Sequence, residues 1–528
     1  MKKHLLLFLA AVLSISAFAA DLNPFAYKLG TPVYDAKNNS VTIGYHLNAP
    51  ANKIRIVIYQ DEAHPVAQQD FTGTAYTSAG AHSAVVSLHG VPGGDYTYKI
   101  EVYGKGQSST TAFHKRTILN SPMSIDIDNN MNSPYFGRTL VTQPTKNALR
   151  GIYEYWPAYF TQGTAGTRHY GNVNWYDQSA DSWYYDAHAT PLRVRVAQDG
   201  TGRVFTTACD VDKNTYLWYV DPANLDNWSS VLTASEMKEI VNHPSNLYVH
   251  NISLDIRVTN DNKLNLLLLS GSVEKNTEFV TGYIYSGIYT LPADFPTTTP
   301  ASKKSAYTSI VNPNYPEGGM IEPHEVIKSA LLPLVVNSSS QFDKYGGVWF
   351  CGTTEVTTVD PNGGGTLKDK SALVHVKFDP NKEIKDNYLG QDPKLTRYYT
   401  NSGGFRYSRD FSQVLVGYGE LYNTNGSYKT ARLYNVTQQS ASVHPSLEYV
   451  ADLGVINNAS ETNHVVDFAW DHANNIYVIL RNGNASVCGI YTYATKYDSN
   501  TPFVTKAPEG VSFEVECYDD RFYTLTTS

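Results

Sequence analysis

The sequence predicts an all-β protein in which a small β-sandwich precedes a β-propeller of six or seven blades. Aromatic residues make up 12% of the 528 residues and charged residues only 17%, a composition that suits the pleated surfaces of β-sheets. Runs of alternating apolar residues recur along the chain after residue 40. In the C-terminal three quarters these runs form a repeat of apolar strand, polar turn and apolar strand, and repeats of this length are typical of propellers and solenoids.

The first twenty residues, MKKHLLLFLAAVLSISAFAA, have the three parts of a secretory signal peptide. Lys2 and Lys3 precede an apolar stretch, and small residues precede Asp21, where we expect cleavage. No later segment has the roughly 18 consecutive apolar residues that a membrane helix requires. We therefore expect an exported protein of the periplasm, the cell surface or the extracellular space, with no transmembrane segment.

Residues 21–115 are predicted to form the β-sandwich. The segments SVTIGYHLN and NKIRIVIYQ alternate, and the second puts Ile54, Ile56 and Ile58 on one face. The stretches NPFAYKL, VTIGYHLNAPANKIRIVIYQ and GDYTYKIEVYG resemble the Ig-like module of flagellar hook-capping proteins and of many secreted bacterial proteins. This resemblance implies an Ig-like β-sandwich that acts as a spacer or adaptor.

Residues 116–528 are predicted to form the propeller. Seven copies of the repeat run from MSIDIDNNMNSPYFGRTLVTQ to VSFEVECYDDRFYTLTTS, and six of them are followed by a third, aromatic strand such as GIYEYWP. A small sheet cannot bury both faces alone, whereas sheets packed around an axis cover each other. Seven copies favour seven blades over six. The last copy lacks a third strand, so we expect residues 113–119 to help close the ring.

Some of the repeats also carry a resemblance to known proteins. The stretches DIDNNMNSPYFGR, PLRVRVAQDGTGRVF and VVDFAWDHANNIYVIL resemble repeats in a group of secreted Bacteroidota proteins of propeller fold, which usually begin with an Ig-like module. The resemblance implies the fold and an extracellular address, and it assigns no activity or functional residue.

Long insertions separate the repeats, and one of them predicts a helix. In TASEMKEIVNHP, Thr233 or Ser235 could cap the helix, and acidic residues lie in its first turn. Insertions on a rigid scaffold are common sites of function.

The insertion NWYDQSADSWYYDAH is the candidate binding surface. Aromatic rings pack on the C–H face of a sugar, and carboxylates accept hydrogen bonds from its hydroxyl groups, so such a mixture suits a glycan ligand. The alternative is an outer strand whose aromatic residues cover the sheet. The candidate ligand-binding residues are Trp175, Tyr176, Asp177, Trp183, Tyr184, Tyr185 and Asp186.

The corner formed by Asp126, Asp128, Asn129 and Asn130 could be a cation site or a turn. Calcium prefers several oxygen ligands, but Asp and Asn also favour tight turns by bonding their own backbone. Similar corners recur in other repeats, as at Asp471, which favours the turn. We predict no cofactor and assign no metal site, with calcium as the one ion that such a corner could hold.

The segment EGGMIEPHEVI offers Glu317, Glu322, His324 and Glu325 as a metal site or a general base. It is not an HExxH motif, and the alternative is that it simply begins a blade.

The cysteines are Cys209, Cys351, Cys488 and Cys517, and none forms a CxxC pair. We expect buried thiols, and a Cys488–Cys517 disulfide is the one pairing that we consider.

The net charge of −8 and the pI near 6.0 argue against a nucleic-acid partner. The sequence contains neither a GxSxG nor a P-loop motif. We therefore expect an exported non-catalytic binding or scaffold protein of the cell envelope, which recognises a glycan or an envelope protein through propeller loops. The alternative is a propeller-type polysaccharide hydrolase or lyase. That alternative requires at least two carboxylates, or a histidine and a carboxylate, to converge within a few Å at one end of the axial channel.

Overall fold

The structure is a computed structural model, and it is nearly all β. It describes residues 22–106, 114–116, 119, 122–143, 151–162, 166–169, 191–207, 215–241, 248–273, 284–310, 339–354, 358–359, 366–367, 370–376, 388–391, 405–424, 427–454, 464–481 and 488–516. Within these ranges the helices are α1 (Thr74–Thr77), α2 (Tyr159–Gln162), α3 (Ala234–Ile240) and α4 (Lys303–Ala306). None of these helices has the length and apolar character needed to cross a membrane.

The N-terminal unit is a sandwich of two antiparallel sheets. Its strands are β1 (Ala26–Tyr27), β2 (Val33–Asp35), β3 (Ser40–Leu47), β4 (Lys53–Asp61), β5 (His64–Phe71), β6 (Gly80–Ser87) and β7 (Gly94–Tyr103). Strand β3 pairs with β1, β2 and β6, and β4 lies between β5 and β7 in the other sheet. As the alternation predicts, Ile54, Ile56 and Ile58 are fully buried in the core between the sheets.

Six antiparallel sheets follow within the described residues. The first is β9 (Ser124–Ile127), β10 (Thr139–Gln143), β11 (Gly151–Tyr155) and β12 (Thr167–His169); the second is β13 (Val194–Val196), β14 (Val204–Thr207), β15 (Thr215–Val220) and β16 (Trp228–Thr233); the third is β17 (Tyr248–Val258), β18 (Leu264–Val273), β19 (Ile284–Leu291) and β20 (Tyr307–Ser309). The fourth is β21 (Ser339–Phe342), β22 (Val348–Thr354), β25 (Lys370–Val376) and β26 (Tyr388–Gln391), with the hairpin β23 (Thr358–Val359) and β24 (Thr366–Leu367) inserted. The fifth is β27 (Phe405–Tyr407), β28 (Gln413–Thr424), β29 (Ser427–Thr437) and β30 (Ser446–Gly454), and the sixth is β31 (His464–Trp470), β32 (Asn475–Arg481), β33 (Gly489–Ala494) and β8 (His114–Arg116).

The first strands of these sheets form a closed cycle. Strands β9, β13, β17, β21, β27 and β31 contact one another in that order, and β31 contacts β9 again. This is the arrangement of a β-propeller, in which the first strand of each sheet lies nearest the axis. Strand β8 pairs with β33 as the outermost strand of the sixth sheet. Residues 114–116, within the predicted segment 113–119, therefore add a strand to the last sheet of the ring, but that sheet is the sixth and not an incomplete seventh.

The C-terminal strands depart from the sequence-based assignment. The predictions placed all of residues 116–528 in the propeller and took VSFEVE as the start of a seventh blade. In the structure, β34 (Phe503–Lys506) and β35 (Phe513–Val515) both pair with β7 of the sandwich. Phe513 and Val515 alternate into the sandwich core, and such alternation suits any half-buried strand, so it did not distinguish the two domains.

The helix predicted in TASEMKEIVNHP is confirmed as α3. The Thr233 hydroxyl accepts a hydrogen bond from the backbone N–H of Glu236 at 3.2 Å. In return, the Glu236 carboxylate accepts one from the backbone N–H of Thr233 at 2.8 Å. This reciprocal capping satisfies donors that the start of a helix leaves unpaired.

The sandwich packs directly on the propeller. Phe25 and Tyr27 of the sandwich share an apolar cluster with Phe136 and Ala473 of the propeller. The Asn23 side chain donates to the carbonyls of Ala473 at 3.1 Å and Thr495 at 3.0 Å. The contact uses the turns that follow β9 and β31, so it lies at the end of the ring where these first strands end.

Candidate functional site

A ring of polar residues occupies the middle of the first strands. Each sheet contributes one residue, and we call the set the axial ring: Asp126, Arg195, Asp255, Gln341, Arg406 and Asp467. All except Arg406 are classed as buried, and Arg406 is partly buried. A first strand in a propeller has no strand beyond it to pair with its outer N–H groups, and buried N–H groups need partners. The ring residues supply several of these partners.

The acceptors of the axial ring bond the backbone of the next sheet. The Asp126 carboxylate accepts from the N–H of Val196 at 2.7 Å, and the Asp255 carboxylate accepts from Phe342 at 2.8 Å. The Gln341 amide oxygen accepts from Tyr407 at 2.9 Å, and Asp467 accepts from Ile125 at 3.1 Å. The spacing of these side chains therefore fixes the register of neighbouring sheets around the axis.

The Asp467 carboxylate is held by several hydrogen bonds within the ring. Arg195 donates to its two carboxylate oxygens at 2.8 and 3.2 Å, and the Ser124 hydroxyl donates at 2.5 Å. Burial acts to raise the pKa of Asp467, but the charges of Arg195 and Arg193 outweigh burial and hold the pKa at about 2. With its oxygens occupied and its charge neutralised, Asp467 has a structural role.

Asp126 and Asp255 are held differently from Asp467 and from each other. Arg406 donates to Asp126 at 2.6 Å, so the negative charge of Asp126 has a direct partner. Asp255 accepts one backbone hydrogen bond, from Phe342, and no other hydrogen bond to it is found among the described residues. Burial raises the pKa of Asp255, against the opposing charges of Arg406 and Arg195. The ring thus places an ion-paired carboxylate and a carboxyl group that resists ionisation in one site.

Both carboxyl groups line a cavity of about 540 Å³. The cavity lies where the first strands pass into their turns, and both polar and apolar side chains line it. Asp126, Asp255, Gln341 and Arg406 of the axial ring form its floor. Its volume falls within the range of small-molecule ligand sites. Cationic and aromatic residues complete the wall: Arg257, Lys344, Arg409, Tyr407, Phe411 and Trp470.

One wall cation is tied to the contact between the two domains. Arg409 donates to Nδ1 of His472 at 2.7 Å, and Nε2 of His472 lies 2.8 Å from the carbonyl oxygen of Val504 in β34. Burial and the charge of Arg409 lower the pKa of His472 to about 3. His472 is therefore neutral, accepts from Arg409 and donates to the sandwich.

The recurring Asp corners are turns, as the sequence analysis favoured. Asp128 accepts hydrogen bonds from the N–H of Asn130 at 3.1 Å and from the hydroxyl of Ser133 at 2.5 Å, and burial raises its pKa to about 6. Asp471 accepts from the N–H groups of Ala473 and Asn475. The grouping of Asp126 with this corner was wrong, because Asp126 lies on the strand and belongs to the axial ring.

The described residues contain no group of three or more His, Cys, Asp or Glu side chains that could hold a metal ion. In the same part of the chain, Asp343 occupies the turn after β21 and accepts from the N–H groups of Tyr345 and Gly347, both at 2.7 Å. Its carboxylate also lies 2.7 Å from Nε2 of the buried His375.

The binding surface predicted from sequence lies outside the described residues. This applies to Trp175, Tyr176, Asp177, Trp183, Tyr184, Tyr185 and Asp186, and also to Glu317, Glu322, His324 and Glu325. Cys209 and Cys517 lie outside them too, so the Cys488–Cys517 disulfide stays a prediction. Cys488 itself is buried.

The sequence analysis missed Asp255, Arg406, Arg195 and Asp467 as site residues. A signal for them exists, because aligning the repeat copies on their first strands brings one polar residue of each copy to the same position. A motif search does not find this signal, since consecutive residues of the ring are separated by 60 to 86 positions.

The whole chain was compared with known protein families, curated sequences and solved structures, and the similarities found are weak. No protein-family model matches the chain, and no curated protein matches its sequence. Solved structures that align with it include a gluconolactonase from Xanthomonas campestris (7% identity, 76% of this chain and 95% of that one, TM-score 0.28), an endo-arabinase from Bacteroides thetaiotaomicron (11%, 72% and 95%, 0.30) and an intramolecular trans-sialidase from Ruminococcus gnavus (9%, 91% and 98%, 0.31). At these values the likeness by itself assigns neither a fold nor an activity.

The expectation of a non-catalytic binding or scaffold protein is contradicted. Asp126 of the first sheet and Asp255 of the third line one cavity, so two carboxyl groups share a site of the kind that the alternative, an enzyme, calls for.

Proposed function

We propose that the protein is an enzyme that hydrolyses glycosidic bonds, with Asp126 and Asp255 as its catalytic residues. The observation that carries this proposal is the pair of carboxyl groups in one cavity with different surroundings. Arg406 is hydrogen-bonded to Asp126, whereas burial raises the pKa of Asp255. Two carboxyl groups held in different surroundings within one site are the usual arrangement for acid and base roles.

The roles follow from these surroundings. Asp255, whose pKa burial raises, is the proton donor to the glycosidic oxygen as the bond from that oxygen to the anomeric carbon breaks. Asp126, paired with Arg406, either takes a proton from the water that attacks the anomeric carbon or attacks that carbon itself before water releases the sugar. In both cases one water is consumed and two hydroxyl-ended sugars form. Arg406 holds the Asp126 carboxylate in place through the hydrogen bond at 2.6 Å.

The experiment is an activity screen of residues 21–528 on plant, bacterial and host polysaccharides, read as released reducing ends. Asp126→Asn and Asp255→Asn are each expected to lower kcat by about 10²–10⁴-fold, the usual size of a general acid or base contribution. Asp261→Asn is the matched control, because Asp261 is an exposed carboxylate in the turn after β17. Full activity in either ring variant, or binding without any cleavage across the screen, would reject the proposal.

We also propose how the rest of the chain serves this enzyme. The propeller has six blades, and the sandwich is an Ig-like unit that covers one side of the cavity mouth. The signal peptide exports the protein, as in the secreted Bacteroidota proteins that the repeats resemble. Cell fractionation with an antibody to the mature chain tests the export, which fails if the protein stays in the cytoplasm.

A further inference from the structure

The charged groups around the cavity are unequal in number. The described lining contains four cations, Arg257, Lys344, Arg406 and Arg409, and three carboxylates, Asp126, Asp255 and Asp343. The chain as a whole has a net charge of −8. The charge of the cavity lining is therefore opposite in sign to the net charge of the whole protein. A locally positive cavity favours a negatively charged ligand.

Existing contacts account for two of these cations and two of the carboxylates. Arg406 pairs with Asp126, and Arg409 bonds His472. Asp343 is occupied by two backbone N–H groups and by His375. What remains at the cavity is Arg257, Lys344 and the carboxyl group of Asp255.

Arg257 and Lys344 have no carboxylate partner among the described residues. Arg257 lies against the backbone of Gly346, in the turn that follows β21. Lys344 is exposed in that same turn, with its ammonium 5.8 Å from the Tyr345 ring centre. Two cations from neighbouring sheets therefore meet beside one turn, and neither is neutralised by this part of the protein.

Arg257 lies close to Asp255, the residue that we assign as the proton donor. Arg257 follows Asp255 by two residues on β17, and alternate residues of a strand share a face. A group bound by Arg257 therefore lies next to the residue that we assign as the proton donor. The guanidinium presents a planar pair of N–H donors that matches a carboxylate or a sulfate.

We propose that the substrate is an acidic polysaccharide and that Arg257 and Lys344 bind the anionic group of the sugar unit next to the cleaved bond. The anionic group is a uronate carboxylate or a sulfate ester, which share the recognition chemistry described here. The inference rests on the proposed hydrolase function, because it places the sugar by reference to Asp255.

The test measures binding by calorimetry to the full mature chain carrying Asp255→Asn, so that no substrate is consumed. The probes are polygalacturonate and its carboxyl-reduced form, and dextran sulfate and dextran. In that background, Arg257→Gln and Lys344→Gln are each expected to weaken binding of the acidic polymer roughly tenfold, the size of one charge-assisted hydrogen bond. Lys304→Gln, which removes an exposed cation on α4, should change nothing.

The outcomes separate the two proposals. Binding of polygalacturonate but not of its reduced form, lost in the Arg257 and Lys344 variants, supports a uronate; the same pattern with dextran sulfate supports a sulfate ester. Equal binding of acidic and neutral polymers, no binding to any of the four, or no effect of the two substitutions overturns the inference. If acidic polymers bind as expected but the wild-type chain cleaves none of them, the hydrolase proposal fails while the anion site stands.

Discussion

Arg195 of the second sheet reaches across the axial ring to Asp467 of the sixth sheet and donates to its two carboxylate oxygens at 2.8 and 3.2 Å. Both side chains are almost completely buried. The pair joins two sheets that are separated by the whole first sheet in the ring. The Arg195–Asp467 ion pair therefore helps to hold the propeller closed, in addition to its effect on local packing.

Asp467→Asn is expected to destabilise the protein by about 3–5 kcal/mol, because it leaves the Arg195 charge buried without its partner. Urea unfolding monitored by tryptophan fluorescence measures the change. The double variant Arg195→Met/Asp467→Asn removes both charges and should be more stable than Asp467→Asn alone. Equal stability of the single and double variants would show that the pairing is not the source of the loss.

The same pair predicts a pH dependence of stability. The pKa of Asp467 is depressed from 3.8 to about 2 in the folded protein, so the folded state favours the ionised form. Its contribution is complete above the unfolded pKa, at pH values above about 4, and is lost as the pH falls towards 2. Melting temperatures measured from roughly pH 5 to pH 2 span this window. The melting temperature of the wild type should fall more steeply with decreasing pH than that of the double variant.

Asp255→Asn is expected to lower kcat by about 10²–10⁴-fold without weakening the fold. Burial raises the pKa of Asp255, so its ionisation opposes folding as the pH rises, and a neutral amide removes that effect. The activity of the wild type should decline as the pH rises and Asp255 loses its proton. A pH–rate profile and melting curves of both proteins check this, and marked destabilisation of Asp255→Asn at neutral pH would contradict it.

Gly346→Ala is expected to displace Arg257. A Cβ at this position would lie 1.6 Å from an Arg257 guanidinium nitrogen, and the backbone φ is +87°. The strained φ costs about 1 kcal/mol of stability, and the shifted Arg257 should reduce binding of acidic polymers. Gly90→Ala is the matched control, since Gly90 has φ +79° and open space around it. A binding loss in both variants, or in neither, would contradict this account.

Asn475→Ala is expected to loosen the sandwich from the propeller. The Asn475 side chain accepts from the N–H of Asn23 at 2.7 Å and donates to its carbonyl at 2.9 Å. Removing these bonds leaves buried groups unpaired, at a cost of about 1–3 kcal/mol. Differential scanning calorimetry against Asn38→Ala, an exposed asparagine of the sandwich, measures the effect. Identical melting curves for the two variants would mean that this junction adds no stability.

Trp175→Ala and Trp183→Ala test the sequence-based binding surface. If these rings stack on sugar units, each substitution should raise KM by roughly three- to tenfold, as expected for one aromatic contact. Trp218→Ala in β15 serves as a control for loss of an indole elsewhere in the propeller. Unchanged KM in the first two variants would favour the alternative, in which these aromatic residues cover a sheet.

The sequence predicted those parts of the fold that local chemistry determines. The cap of α3 depends on Thr233 and Glu236, which are three residues apart, and the core face of β4 depends on the alternation of Ile54, Ile56 and Ile58. Both signals lie within one element, so they can be read before the tertiary structure is known.

The site could not be predicted in the same way, because its members meet only through the closure of the ring. Asp126 and Asp128 are two residues apart and look alike in the sequence, yet one bonds Arg406 and the other bonds Ser133. The same limit explains the seventh repeat. The alternation in Phe513–Val515 predicts a strand correctly but does not name its partner, which is β7.

The pairing of β34 and β35 with β7 has a consequence for biogenesis. Strand β7 is made early, but the strands that cover its outer edge come from residues 503–515. While the chain is being synthesised or exported, that edge stays bare and can pair with other molecules. The sandwich can therefore be completed only after the whole propeller has been synthesised. A fragment ending near residue 106 would lack these strands, and we expect it to aggregate rather than fold as a separate domain.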